Sequence, residues 1–259
     1  MQTSALASGS SGNCFFIEAN NISFLIDAGI SCKQICRRLE DLNKKPENLK
    51  GIFITHEHSD HIKGVDVLAR KFSIPIYLTN KCHDNCMHIT SDHSLVNHIE
   101  KDKELDFHGI KILPFSKNHD ANDPVSFSIV HKDKKISVIT DIGIACDNVV
   151  KHLKESNIVY FETNHDIQML ENGRYPAYLK KRISGDFGHL SNYAAALCIL
   201  EHATPKLHHL ILSHLSENNN TEEIALKTIN GLISTRKDLE NLKINISGRH
   251  KPTELIHLT

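Results

Sequence analysis

Short runs of β-branched and aromatic residues recur along the chain, each closed by turn-forming or charged residues, and they predict its strands. CFFIEA (14–19) and ISFLID (22–27) come first, followed by a helix over 31–43 (SCKQICRRLEDLN) that opens on a serine cap. A strand at 51–55, an apolar helix at 62–72 and the strand PIYLT (75–79) come next. KELDF, IKILPF, VSFSIVH and KISVIT then predict four strands with short turns between 103 and 140. From about 147 helices and strands alternate: a helix, the strand NIVYFET, a helix, the helix LSNYAAALCILEHA, the strand LHHLILS, the helix TEEIALKTINGLIS and the strand KINIS. Two mixed β-sheets face to face, with helices outside both, account for this order. The expectation is an α+β sandwich in one domain over 1–259, without repeats, low-complexity tracts or long linkers.

Composition narrows the function. Forty per cent apolar residues is enough for a large core, and a formal net charge of −1 argues against binding nucleic acid by bulk positive charge. A local basic groove stays compatible with that balance. No apolar stretch reaches about 18 residues, so no membrane partner is expected. The opening MQTSALASGSSGN has neither a basic region nor a long apolar run and does not read as a signal peptide. Seven cysteines, an odd number, suit a reducing, cytoplasmic setting better than a disulfide framework. KCHDNCMH offers Cys82, His83, Cys86 and His88 to an accessory metal, but partly buried thiols are the simpler reading. Nineteen histidines are many for 259 residues and direct attention to metal chemistry.

The densest group is GIFITHEHSDHIKG (51–64), where H-x-H-x-D-H follows a strand. His56 and His58 can converge on one cation, and Asp60 and His61 on a second. Imidazole and carboxylate without thiolate suit zinc, manganese or iron(II). Two ions need further ligands at other strand ends, and the sequence supplies His119 after IKILPF, Asp141 after KISVIT and His214 after HHLILS. Asp141 has two oxygens and can bridge. The expected centre is therefore dinuclear, with His119, Asp141 and His214 completing the ligands that His56, His58, Asp60 and His61 begin.

This ordered set resembles the metallo-β-lactamase superfamily, which implies an αββα sandwich with a dinuclear site along one sheet edge. The resemblance makes Asp27, which ends ISFLIDAG, a brace of the metal loop and not a ligand. It argues against a redox diiron role, since diiron flavoproteins of the superfamily carry an acid where His58 stands here. Glu162 in FETNHD, His189 in GDFGHLSN and His214 in LSHLSENNN look like the nuclease branch that includes ribonuclease Z. There the Gly-His histidine, oriented by the glutamate, protonates the leaving oxygen, so Asp60, His189 and Glu162 are the candidate catalytic residues. The Gly/Pro-rich arm with which ribonuclease Z clamps transfer RNA is absent. ASGSSGNC, LIDAGIS, GIFITHEHSDHIKG, NHDIQMLENGRYPAYLKKRISGDFGHLSN and LSHLSENNN together resemble the YycJ (WalJ) family, from residue 5 to about 220. That resemblance implies a DNA exonuclease working from the 5′ end of duplexes, with a link to mismatch repair.

Two stretches bear on a phosphodiester substrate. SGSSGN offers closely spaced N–H groups and hydroxyls, with Ser10, Ser11 and Asn13 as candidate phosphate contacts, although a tight turn explains it equally well. Lys180, Lys181 and Arg182 precede His189 on a predicted helix and can hold a nucleic-acid backbone. The alternatives are a hydrolase of the same fold acting on RNA, a cyclic phosphodiester, a thioester or a lactone, and a binding protein that has lost its chemistry.

Overall fold

The computed structural model describes residues 1–258. In chain order the elements are β1 (Gln2–Ala7), β2 (Cys14–Ala19), β3 (Ile22–Ile26), α1 (Cys32–Asp41), β4 (Leu49–Phe53), α2 (Ser59–Ile62), α3 (Val65–Phe72), β5 (Ile76–Thr79), α4 (Asn80–Asn85) and β6 (Val96–Ile99). They continue with β7 (Leu105–Phe107), β8 (Ile110–Ser116), β9 (Val125–His131), β10 (Lys134–Ile139), α5 (Asp147–Glu155), β11 (Ile158–Glu162), α6 (Ile167–Asn172) and α7 (Ala177–Ile183). The last are α8 (Asn192–His202), β12 (His209–Ser213), α9 (Glu222–Ile233), β13 (Lys243–Ile246) and β14 (Ile256–His257). The strands form two seven-stranded sheets, ordered β14-β1-β2-β3-β4-β5-β6 and β13-β12-β11-β10-β9-β8-β7.

Both sheets are mixed. β1, β2 and β3 are antiparallel, whereas β3 to β6 run parallel. β7, β8 and β9 are antiparallel, and β10 to β13 parallel. The hairpin between β2 and β3 closes on Asn20 and Asn21, both at positive φ, which is the two-residue turn that matches strand twist and that asparagine tolerates. Two compact units emerge, each discontinuous in sequence: one comprises residues 1–116, 121–134 and 247–259, the other 117–120 and 135–246.

In the first unit, β3 and β4 pack against β7 and β9 through aromatic rings. Phe53 stands edge-on to Phe24, Phe107 and Phe127 with centroids 5.1–5.8 Å apart, and stacks on Tyr77 at 4.6 Å. Such pairs add to the burial of four large apolar faces, and the fully buried Phe53 is the centre of the cluster. α1 caps as the sequence predicts: Ser31 Oγ accepts the Gln34 N–H, and Gln34 Oε1 accepts the Ser31 N–H.

In the second unit the parallel strands β10, β11 and β12 are buried on both faces, as near-continuous apolar runs require, whereas the edge strand β13 is not. All five residues of β11 are buried, its last being Glu162. α8 turns Ala195, Ala196 and Ile199 into this core, and α9 contributes Ala225 and Ile229.

The sandwich of mixed sheets agrees with the sequence reading, with differences in detail. β1, β6 and β14 were not expected; β1 escapes an apolar pattern because it buries Thr3 and Ser4, whose hydroxyls bond to Phe16 O and Thr253 O at 2.8 Å. The helix expected over 62–72 is two helices, broken at Gly64, where a Cβ would lie 2.1 Å from Ile30 O. The helix expected after β11 is also two, α6 and α7.

Candidate metal centre

In the first unit the site grows out of the segment after β4. The Ile54 N–H still donates to Tyr77 O at 2.8 Å, the chain bends at Thr55, and it is extended at His58 before coiling into α2. Extended backbone sends residues i and i+2 to the same side. His56 Nε2 accordingly lies 3.1 Å from His58 Nδ1. The helical turn carries the other pair, with Asp60 Oδ2 3.4 Å from His61 Nε2. Two ligands of a tetrahedral zinc ion are about 3.3 Å apart. Each pair is spaced as ligands of one ion are.

Asp27 holds these rings from behind. It is fully buried at the end of β3 and adopts a left-handed φ of 60°, a strained position for a residue other than glycine. Its carboxylate accepts the Thr55 N–H and Thr55 Oγ1–H, both at 2.8 Å, and His61 Nδ1–H at 2.7 Å. Thr55 Oγ1 in turn accepts from His56 Nδ1 at 2.9 Å. Protons are thereby held on Nδ1 of both rings, which leaves Nε2 as the donor toward a cation. Asn13 ties down α2: its N–H donates to Asp60 O at 2.8 Å, and its Nδ2 lies 3.3 Å from Asp60 Oδ2 and 3.1 Å from His61 Nε2. A Cβ at Gly29 would sit 1.6 Å from Asp60 O, so only glycine fits where these segments cross.

In the second unit the side chains come from the ends of parallel strands, where an α/β sheet opens into its ligand crevice. Asp141 follows β10, Glu162 ends β11 and His214 follows β12; Asp141 and His214 both have φ of 57°. Glu162 Oε1 accepts from His189 Nδ1 at 2.8 Å and from His214 Nδ1 at 2.9 Å, while Oε2 accepts the Ile142 N–H. Burial alone would raise this carboxyl, but the two imidazoles prevail and hold it at about 2. Ligand atoms of Asp141, Glu162, His189 and His214 all lie within 4.8 Å of one another. His119 Nδ1 donates to Gly188 O at 3.1 Å, and burial pushes its pKa down to about 3, so it is a neutral imidazole of the kind metals take. A Cβ at Gly188 would lie 2.2 Å from Arg182 O, which explains the glycine before His189.

The candidate substrate contacts fare differently. Ser10 and Ser11 are exposed on the Gly9–Gly12 turn, but Asn13 is buried and engaged within the protein, its Oδ1 accepting the Gly9 N–H at 3.0 Å. Arg182 is committed to an ion pair with Asp120. Lys180 donates to Glu171 O at 2.6 Å, and Lys181 is exposed on α7. Cys82 and Cys86 are in the apolar core while His88 is on the surface, and among the described residues these four do not gather as a metal-binding group. All seven thiols are free. Sequence reasoning missed Thr55, the hydroxyl between Asp27 and His56, and also missed His165. The latter is 2 % exposed, with Nδ1 lacking a hydrogen-bond partner among the described residues and a pKa pushed down to about 4 by burial.

Comparison with known proteins gives these residues a family. The model of the metallo-beta-lactamase superfamily matches residues 7–154, more than half of the chain. Exodeoxyribonuclease YycJ of Bacillus anthracis is 35 % identical over 237 residues, spanning 90 % of this chain and 89 % of its own. Exodeoxyribonuclease WalJ of Streptococcus pneumoniae is 39 % identical over 230 residues, spanning 87 % and 86 %. Among solved structures, the metallo-beta-lactamase fold protein YhfI of Bacillus subtilis superposes with a TM-score of 0.73 at 14 % identity, covering 97 % of this chain and 98 % of that one. The short form of human tRNase Z gives 0.67 at 16 % identity, covering both chains in full, and at these identities the likeness shows the fold alone. No helix among the described residues is long and apolar enough to cross a membrane. The chain is a member of the metallo-β-lactamase superfamily of metal-dependent hydrolases and, within it, of the YycJ/WalJ family.

Proposed function

We propose that this protein is a DNA exonuclease that hydrolyses phosphodiesters from 5′ ends with two divalent ions, zinc or manganese, in the cytoplasm. His56, His58 and His119 would hold one ion and Asp60, His61 and His214 the other, with Asp141 bridging. The donor set fits: neutral imidazoles and carboxylates, no thiolate, and ligand pairs 3.1–3.4 Å apart within the first unit. When bound, the ions lower the proton affinity of a water and neutralise charge on the phosphoryl oxygens.

The observation that carries the reading is the bond between Glu162 Oε1 and both His189 and His214. Glu162 accepts from Nδ1 of His189 and fixes the orientation of this partly exposed ring. His189 Nε2, on the side of the ring away from the carboxylate, then delivers its proton to the departing sugar oxygen. Such an oxygen is a poor leaving group, so a positioned acid is what distinguishes a nuclease from a hydrolase of activated esters.

The test is digestion of labelled duplexes with either the 5′ or the 3′ end blocked, with Mn²⁺ or Zn²⁺ added. Mononucleotides should be released when the 5′ end is open. Release confined to open 3′ ends would reverse the polarity, and no release with either ion would dismiss the nuclease reading.

A further inference from the structure

Beside His189 the second unit contains a cavity of about 320 Å³ that the metal chemistry does not use. Its floor is apolar (Ile167, Leu170, Leu190, Ala194), and its polar wall includes Lys180, Lys181, Ser184 and His165. The volume is at the lower end of the roughly 300–1,000 Å³ of small-ligand sites, enough for one nucleotide but not for a run of them. Its mixed lining matches that ligand, an apolar base and sugar carrying a phosphate. His165 contributes a buried imidazole whose Nδ1 has no hydrogen-bond partner among the described residues, a group that calls for a polar occupant. α8 begins at the same wall with Ser191 and Ala194, so the positive end of an eleven-residue helix adds to the two lysines. All three exposed aromatic side chains among the described residues, Tyr178, Phe187 and Tyr193, belong to the same short stretch of chain. Bases stack on exposed rings of this kind in single-strand channels.

We propose that this cavity is the pocket for the terminal nucleotide of a DNA strand, with its 5′-phosphate on Lys180 and Lys181 and its base against the apolar floor and His165. The assignment rests on the exonuclease reading and adds what that reading leaves open, namely how an end is told from an interior. His189 lines both the cavity and the proposed proton path, so the nucleotide in the pocket is the one that leaves. A water oxygen bonds to phosphorus and loses a proton to solvent, the P–O3′ bond breaks, and the proton on His189 Nε2 passes to O3′. A nucleotide that leaves through its 3′ oxygen has its 5′ side turned into the cavity. The cavity has room for about one nucleotide, so a strand that ends there fits and one that continues does not.

The experiment compares oligonucleotides with a 5′-phosphate and a 5′-hydroxyl, using the metal-loaded full chain and the Lys180→Ala/Lys181→Ala variant. Hydrogen bonds to charged groups are strong enough that the phosphorylated end should be favoured about tenfold in kcat/KM by the wild type. The double variant should lose that preference, and thymidine 5′-monophosphate should inhibit it about tenfold more weakly than it inhibits the wild type. His165→Gln, which keeps a hydrogen-bonding side chain in the wall, should recover more of the inhibition than His165→Ala. Equal rates on both ends in the wild type, or a preference that survives in the double variant, would overturn the pocket while leaving the exonuclease intact. No mononucleotide from either substrate would overturn both.

Discussion

The two units each use one device, a buried carboxylate behind histidine, to different ends. In the first unit Asp27 receives His61 directly and His56 through Thr55. Both rings are fully buried, and both are proposed as ligands, so on that reading the carboxylate would act only on metal geometry. In the second unit Glu162 receives His214, also buried, and His189, whose side chain is 22 % exposed. One oxygen thus serves a buried ring, proposed as a ligand, and a ring that solvent or substrate can reach. Where the ring is buried too, the carboxylate fixes a tautomer; where the ring is partly exposed, it orients a group that substrate can reach. Changes in the first half should therefore be felt as metal binding, and changes in the second as leaving-group chemistry.

The largest effect is expected from removing a ligand. His58→Ala deletes one of the two donors that stand 3.1 Å apart, and it should abolish most activity on every substrate together with one ion per chain. Metal analysis of the reconstituted protein checks it. Two ions retained by the variant would take His58 out of the ligand set.

His189→Ala comes next and separates the halves most sharply. General acid–base catalysis contributes about a hundred- to ten-thousandfold. The variant should lose roughly two or more orders of magnitude on DNA. It should lose far less on bis-p-nitrophenyl phosphate, whose leaving group does not need a proton. Glu162→Gln should go in the same direction by a smaller factor and also loosen the ion on His214, because the carboxylate serves both. Equal losses on the two substrates at full metal occupancy would make His189 a structural residue.

The reach of the sequence follows the same division. Strands with uninterrupted apolar or alternating runs were legible, and so was the two-sheet sandwich they build. β1 was not, because its buried hydroxyls bond to Phe16 and Thr253, one of them some 250 residues away. Spacing in H-x-H-x-D-H announced which side chains to examine, since local backbone brings His56 beside His58 and Asp60 beside His61. What spacing does not encode is which group stands behind each ring. Thr55 acquires its role only because β3 delivers Asp27 to it, and Asn13 only because its turn crosses α2. Arg182 read as a basic contact because Asp120, 62 residues away, was invisible as its partner.

Asp27→Asn tests the first half at an intermediate scale. The amide keeps the shape, but its nitrogen cannot accept from Thr55 or His61, and loss of such an acceptor weakens metal binding about ten- to a hundredfold. Activity at saturating metal should recover on DNA and on bis-p-nitrophenyl phosphate in equal proportion. Unequal recovery would mean that Asp27 also influences the leaving group, and the contrast between the halves would collapse.

The smallest effect concerns the thiols of the first unit, which is where a further metal would blur the comparison. Cys82 and Cys86 are buried among apolar residues, and Cys86 Sγ–H donates to Cys82 O at 3.1 Å. The hydrogen bond with Cys86, and after it burial, raises the Cys82 pKa strongly, so this thiol has no reason to become a thiolate ligand. Cys36, half-buried beside Cys32 at 4.0 Å, is pushed up to about 11 by burial and by that neighbour. A thiol with a raised pKa is protonated at neutral pH, and its reactive fraction grows as pH climbs toward that value. Alkylation of the native protein should therefore be slow at pH 7 and accelerate toward pH 11 at Cys36, while denaturant should expose all seven thiols without reductant. Cys82→Ala/Cys86→Ala should keep the metal content of the wild type and reduce stability by about 1 kcal/mol. One ion fewer in that variant would assign the pair a metal after all, and the first unit would then have two metal-binding functions rather than one.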